Sequence, residues 1–268
     1  MQKRSPLFWL QLAFTLSVCA FLVVPVVLSA LAGLTVNYQT GLSSGFTLRW
    51  VIEVWSGYRD TIFHSIFLAL ACLGLTLLLG IPAAYVLAKR QTAWSRAVEE
   101  LLVMPVAVPG LATALALIVM YGGAGGFRTS SAFILVGHVL FTLPFMVRSV
   151  LAVLMAIDLK TLEEGAASLG AGFVQRFFHI VLPNCRAGIV AGSLMVVTLS
   201  MGEFNMTWLL HTPLTKTLPV GLADAYASLR LEIGSAYTLV FFLMIVPLLI
   251  AMQAISQAPA PKLKADEE

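Results

Sequence analysis

The sequence predicts an all-α membrane protein with six transmembrane helices and both termini in the cytoplasm. Three observations predict it. Hydrophobic residues make up 59% of the chain and charged residues only 11%, against about 25% charged in soluble domains. Six apolar runs, at residues 7–34, 62–87, 101–121, 132–157, 187–210 and 233–254, are each long enough to cross a hydrocarbon core of about 30 Å as a helix. Strict apolar alternation is missing, which excludes a membrane barrel. Basic residues then set the orientation. With the N-terminus inside, cytoplasmic segments hold Lys3, Arg4, Lys89, Arg90, Arg96, Lys160, Arg176, Arg186, Lys262 and Lys264, while outer segments hold Arg49, Arg59, Arg128, Lys216 and Arg230. Residues 1–257 read as a single transmembrane domain, and the Pro-rich charged stretch 258–268 as a flexible cytoplasmic tail.

The first run follows Lys3 and Arg4 and contains Ala30-Leu31-Ala32, which resembles a signal-peptide cleavage site. Its 28 residues exceed the roughly 7–15 of a signal core, so it reads as a retained span. Residues 41–60 read as the longest outer loop, with Trp50, Trp55 and Tyr58 suited to the membrane interface. The third span opens with Pro105 and Pro109-Gly110. These either bend the helix or sit where helical hydrogen bonding is incomplete; both readings stay open. Pro144, in the middle of the fourth span, is the stronger kink candidate. After Pro213 and Pro219, the stretch ADAYASLRLE, residues 223–232, reads as a short helix at the outer surface.

Several function classes drop out. The formal charge of +3 is explained by basic loops, with no nucleic-acid surface. Cys19, Cys72 and Cys185 show neither disulfide nor metal spacing. There is no GxxxxGK[ST] phosphate loop, so the chain is not expected to hydrolyse ATP. No Ser/His/Asp or HExxH arrangement supports an intramembrane enzyme.

The segment 158–186 is polar and patterned between two apolar spans. Asp158 is one candidate N-cap, and Thr161, with Glu164 three residues on, is another. Leu159, Leu162, Ala166 and Leu169 fall on one helical face, with Lys160, Glu163 and Glu164 pointing elsewhere. Gly170 fits a helix stop. A second helix from Phe173 to Ile180, closed by Pro183, completes a cytoplasmic helix–turn–helix elbow.

Glu164-Gly165-Ala166-Ala167 with Gly170, followed by Ile180-x-Leu182-Pro183, resembles the EAA motif of permease subunits of binding-protein-dependent ABC importers with the type I fold. Leu143 to Arg148 resembles their LPFVVR stretch. Ser200 to Phe204 with Thr217 to Val220 resembles their fifth span and outer loop, and Pro105 with Pro109 fits a further proline pair. Gly165 departs from the expected alanine, at a cost of up to about 1 kcal/mol in helix propensity. The resemblance covers most of the chain from the second span onward. It implies a coupling helix seated in a groove of a cytoplasmic ATPase. The partners implied are two ABC ATPase subunits carrying ATP and magnesium, a second permease, identical or paralogous, and a periplasmic binding protein, all in or at a bacterial inner membrane. Polyamine or 2-aminoethylphosphonate is the favoured substrate, with ferric iron next. The residues implied in ATPase coupling are Glu164, Gly165, Ala166, Ala167, Gly170, Ile180, Leu182 and Pro183. No cofactor is expected on this chain.

Polar residues inside spans give the candidate translocation path or gate: Glu203 with Gly202 and Phe204, and Pro144 with Arg148. A charge in lipid faces a cavity or a partner. Glu203 lies 16 residues into the fifth run, and a carboxylate there favours a cationic or zwitterionic substrate. The bland alternative is a paired glutamate locking helices together. Arg148 lies roughly 13 Å from the cytoplasmic end at 1.5 Å per residue, too far from Glu203 to pair. His64 and His138 read as helix-packing donors. An ion-gradient-driven secondary transporter is the alternative function; it predicts broken helices and an internal repeat, and no repeat is found.

Overall fold

A computed structural model describes residues 6–257, and these are helical apart from short connections and one isolated bridge between Thr35 and Phe46. The expected tail 258–268 and the basic pair Lys3 and Arg4 lie outside the described residues. The main helices are α1 (Pro6–Ala32), α2 (Arg49–Lys89), α3 (Ala93–Ala107), α4 (Gly110–Tyr121) and α5 (Ser131–Ala156). They continue as α6 (Leu159–Ser168), α7 (Arg186–Gly202), α8 (Asn205–Leu210), α9 (Leu218–Ala227) and α10 (Leu231–Gln257).

Four helices, α1, α2, α5 and α10, are long and apolar enough to cross a membrane. Two bent pairs raise the number to six if each pair is one span. In one pair α3 meets α4 at 101°, and in the other the helical stretch Phe173–Asn184 meets α7 at 69°. The bend between α3 and α4 falls at Val108 and Pro109, where the backbone is extended. Proline at 109 has no N–H to continue the ladder, so of the two readings for this stretch the structure takes the break. Pro144 sits inside α5, which runs on without interruption.

Two expectations are corrected. Residues 41–60 are not one loop: after a single 3₁₀ turn at Gly41–Ser44, helix begins at Arg49, and the range of α2 is kinked at Tyr58, whose backbone (φ −133°, ψ 16°) is not helical. Charge made that stretch look like a loop, but it contains no proline and only one mid-helix glycine, Gly57. The fifth run is not one helix either. It is interrupted after Gly202, and Glu203 and Phe204 separate α7 from α8. The short helix expected over ADAYASLRLE is only partly present: α9 runs Leu218–Ala227, Leu229 takes a left-handed conformation with φ 57°, and Leu231 and Glu232 already belong to α10.

The chain forms two compact units: residues to Asp60 with Val220–Met244, and Thr61–Pro219 with the residues from Ile245 on. In the first unit, Arg230 binds Glu53 at 2.6 Å and the Tyr58 hydroxyl at 2.8 Å. Glu232 accepts the Tyr38 N–H at 3.0 Å, and Gly33 allows backbone contact with Ala236, where a Cβ would meet the main chain at 2.5 Å.

In the second unit, α7 packs closely on α5. A Cβ on Gly188 would lie 2.4 Å from the Ser149 carbonyl oxygen, so glycine is what lets the two backbones approach. Lipid tails are as apolar as leucine, so membrane helices associate through such close packing. A core of Cys72, Met146, Val150, Leu154 and Val196 extends without a gap to Leu159, Val181 and Cys185. The polar elbow is thereby packed onto the spans. His64 contacts the Lys216 carbonyl at 3.2 Å and Ser131 Oγ at 2.8 Å. His138 contacts Ser200 at 2.8 Å and Thr207 at 2.9 Å. Both tie helices together, in the packing role expected of them.

Candidate functional site: the polar elbow and the break after Gly202

The elbow begins at Asp158, not Thr161. Asp158 accepts the Thr161 N–H at 3.2 Å and the Thr161 hydroxyl at 2.7 Å. These two bonds hold the exposed Asp158 carboxyl below its usual pKa. Gly170 ends the helix with φ 85°, while the Ala171 N–H reaches back to the Ala166 carbonyl at 3.0 Å. Only glycine takes that backbone freely. The Gly172 N–H then donates to the Gln175 side chain at 3.0 Å and starts the second helix. Residues Phe177–Val181 form a π-helical turn before Leu182–Asn184. Wide turns of this kind recur at functional sites.

The buried face of α6 differs from the expected one. Leu162 is 42% exposed and Leu169 is 90% exposed, while Glu163 is only 4% exposed. Helical geometry explains it: Leu159, Glu163 and Ala166 stand at i, i+4 and i+7, so they share a stripe. Glu163 tolerates burial because it is paired. It accepts from the Tyr85 hydroxyl at 2.6 Å and binds Lys89 Nζ at 2.9 Å. Lys89 also donates to the Tyr85 hydroxyl at 3.0 Å. Burial pushes the Glu163 carboxyl up, but the bonds from Tyr85 and Lys89 outweigh it and leave its pKa below the ordinary value. The hydrogen bonds to Tyr85 and Glu163 hold Lys89 above its own. Phe177 stands edge-on to the Tyr85 ring at 5.5 Å.

The other motif residues lie outward of this anchor. Glu164 is exposed, with Lys160 at 3.8 Å. Gly165, Ala167 and Gly170 are exposed and Ala166 is half-buried. Gly165 has open space where a Cβ would sit, so the glycine is not needed for packing within the chain. Ile180 and Leu182 are half-buried and Pro183 is exposed. A cavity of about 570 Å³ opens beside the elbow, lined by Lys89, Asp158, Lys160, Glu163, Glu164 and Arg176 among others.

At the break in the fifth run, Glu203 bonds to its own following turn. Its carboxylate accepts the Met206 N–H at 2.8 Å, the Thr207 N–H at 2.9 Å and the Thr207 hydroxyl at 2.5 Å. His138 Nε2 lies 3.8 Å away. Glu203 thus supplies the acceptors that the first turn of α8 lacks. Its side chain is 8% exposed, Gly202 beside it is exposed and Phe204 packs on Trp208 at 5.4 Å. Gly110, at the start of α4, faces the same break: a Cβ there would lie 3.4 Å from Asn205 and 3.7 Å from Glu203 Oε1. Arg148 is not part of this cluster. It is exposed and faces Glu99 of α3 at 3.9 Å, and Pro144 is buried within α5.

Residues 76–264 match the family model of the binding-protein-dependent transport system inner membrane component. The chain belongs to this family. It is therefore a permease component of ABC importers, a membrane transport subunit. Among its relatives, a sulfate transport permease, CysW, of a Synechocystis species is 27% identical over 75% of this chain and 77% of its own length. A putative 2-aminoethylphosphonate permease, PhnV, of Salmonella paratyphi A is 24% identical over 88% of this chain and 90% of its own. A molybdenum permease, ModB, of Mycobacterium bovis is 25% identical over 78% and 83%. A chain of a bacterial ABC transporter involved in import of the acidic polysaccharide alginate superposes with TM-score 0.70, at 17% identity, over 93% of this chain and 94% of that one. That likeness carries the fold.

The sequence reading missed Glu163. Two signals were present. A charge stood four residues after Leu159 on the apolar stripe, and Tyr85 and Lys89 stood one turn apart at the end of the second span. Such a pair can serve a buried carboxylate.

Proposed function

We propose that this permease works in a bacterial inner membrane, as one of two identical or paralogous permeases. They bind two cytoplasmic ATPases and receive a small solute from a periplasmic binding protein. The elbow from Asp158 to Arg186 is the ATPase contact. The observation that carries this is the division of the EAA-like helix: Glu163 is fixed inward by Tyr85 and Lys89, while Glu164, Ala167 and Leu169 stand exposed. Small residues there permit close approach, and Glu164 offers a charge. ATP and magnesium belong to the partner subunits, since this chain has no phosphate loop. Alternating access then moves the solute past the break at Gly202, Glu203 and Phe204.

For the substrate, a small anion or zwitterion of the 2-aminoethylphosphonate type is favoured. The relative named for that compound matches over 88% of this chain, and others are named for sulfate and molybdenum. A polyamine is less well supported, because Glu203 is already engaged by two N–H groups and a hydroxyl and offers no open charge to a cation. A gradient-driven carrier fits the broken helices, but membership in an ABC importer family argues against it.

The test is Glu164→Arg in the assembled importer. It is expected to cut ATPase co-purification and uptake about tenfold or more. Wild-type assembly together with wild-type uptake would rule out the elbow as the contact.

A further inference from the structure

A buried polar contact joins the elbow to α2. Glu163 sits 78 residues from Tyr85 in sequence, yet both Glu163 oxygens are used: one by the Tyr85 hydroxyl at 2.6 Å, the other by Lys89 at 2.9 Å. The three groups close a triangle, because Lys89 also donates to Tyr85 at 3.0 Å. Around it lie apolar and aromatic contacts. Phe177 and Phe173 stand 5.5 and 6.2 Å from the Tyr85 ring, and Leu159, Val181 and Ala88 are buried in the same cluster. On the far side of the elbow, away from the triangle and this packing, Leu169 and Val174 are 90% and 64% exposed.

We propose that Glu163, Tyr85 and Lys89 form a clamp that makes the elbow and the cytoplasmic end of α2 one rigid lever, with Glu163 as its positioning residue. A force applied to the exposed face of the elbow then moves α2 without loss. Apolar packing alone permits sliding. A carboxylate held by two donors with different directions fixes both rotation and translation, and leaving it unpaired in a buried place is costly. The clamp explains why this stripe carries a glutamate where a leucine would pack. It rests on the elbow being the ATPase contact.

The experiment measures distance within the lever. Spin labels are placed at Leu169→Cys and Val86→Cys, both exposed, in a Cys19→Ser background. Distances are recorded for the permease in nanodiscs and for the full importer, nucleotide-free and trapped with ATP and vanadate. In the otherwise unaltered chain the distribution is expected to be narrow and unmoved by trapping. Glu163→Gln and Lys89→Met are expected to widen it about twofold or more, and the exchange Lys89→Glu with Glu163→Lys to narrow it again. A distance that shifts on trapping in the unaltered lever, or variants that stay narrow, would overturn the clamp. If a single variant does not fold, the trapping result in the unaltered lever still decides. The reading of the elbow as the ATPase contact fails separately, through unchanged ATPase co-purification by Glu164→Arg.

Discussion

Glu163 and Glu203 in the second unit both keep their side chains largely out of water, and they are satisfied in opposite ways. Glu203 uses partners three and four residues along its own chain: the N–H groups of Met206 and Thr207 and the Thr207 hydroxyl. Glu163 uses partners 78 and 74 residues away, on another helix. The first arrangement is a cap. It stabilises a break at the start of α8, while His138 at Thr207 and Arg128 at the Leu209 and Leu210 carbonyls hold the helix to more distant elements. The second is a tie that stabilises a relation between elements. The first suits a break between consecutive helices, and the second an attachment between elements remote in sequence. The same residue type serves both because its neighbours differ.

The contrast breaks first at Glu203. Glu203→Ala leaves the Met206 and Thr207 amides without their acceptor and the Thr207 hydroxyl with His138 alone, at roughly 1–3 kcal/mol for each buried group left unmet. A loss of about 3 kcal/mol in the stability of the purified permease is expected, read by thermal or denaturant unfolding in detergent. A loss below about 0.5 kcal/mol would show that α8 holds its own start without the cap.

Glu163 gives a smaller effect with a pH signature. Removing one partner of a fully buried pair costs roughly 3–5 kcal/mol. Lys89 is half in water, with 48% of its side chain exposed, so Glu163→Gln is expected to cost about 1–2 kcal/mol. The folded-state pKa of Glu163 lies below its ordinary 4.5. Stability from the clamp is therefore complete above that ordinary value and is lost as pH falls through the depressed one. The stability gap between the unaltered chain and Glu163→Gln is expected to be flat from neutral pH down to about 5 and to shrink in more acid solution. A gap that grows with acid contradicts the assigned charge.

Much of this was legible in the sequence, for physical reasons. Apolar length reports spans directly, and Gly170 reports a left-handed stop that few other residues accept. Spaced small residues after Glu164 reported the family. Three features were hidden. The helical start at Arg49 was masked by charges, some of which Arg230 and Glu53 neutralise across a fold the sequence does not display. The interruption at Glu203 depends on side chain–backbone bonds within one turn, which hydropathy does not register. The inward turn of Glu163 depends on Lys89 and Tyr85, remote in sequence, so the apolar stripe was drawn through Leu162 and Leu169 instead. In each case the missing information was a partner for a charge.

The central claim is that the exposed face of the elbow meets the ATPase while the span ends at the opposite loop do not. Leu169 in the elbow and Leu214 before α9 are the two most exposed leucines described, at 90% and 95%. A photo-crosslinking amino acid placed at each, in cells producing the whole importer, tests it directly. The expected result is a cross-link from position 169 to the cytoplasmic ATPase subunit and none to it from position 214. A cross-link to the ATPase from 214, or its absence from 169 in an importer that still takes up substrate, would contradict the account.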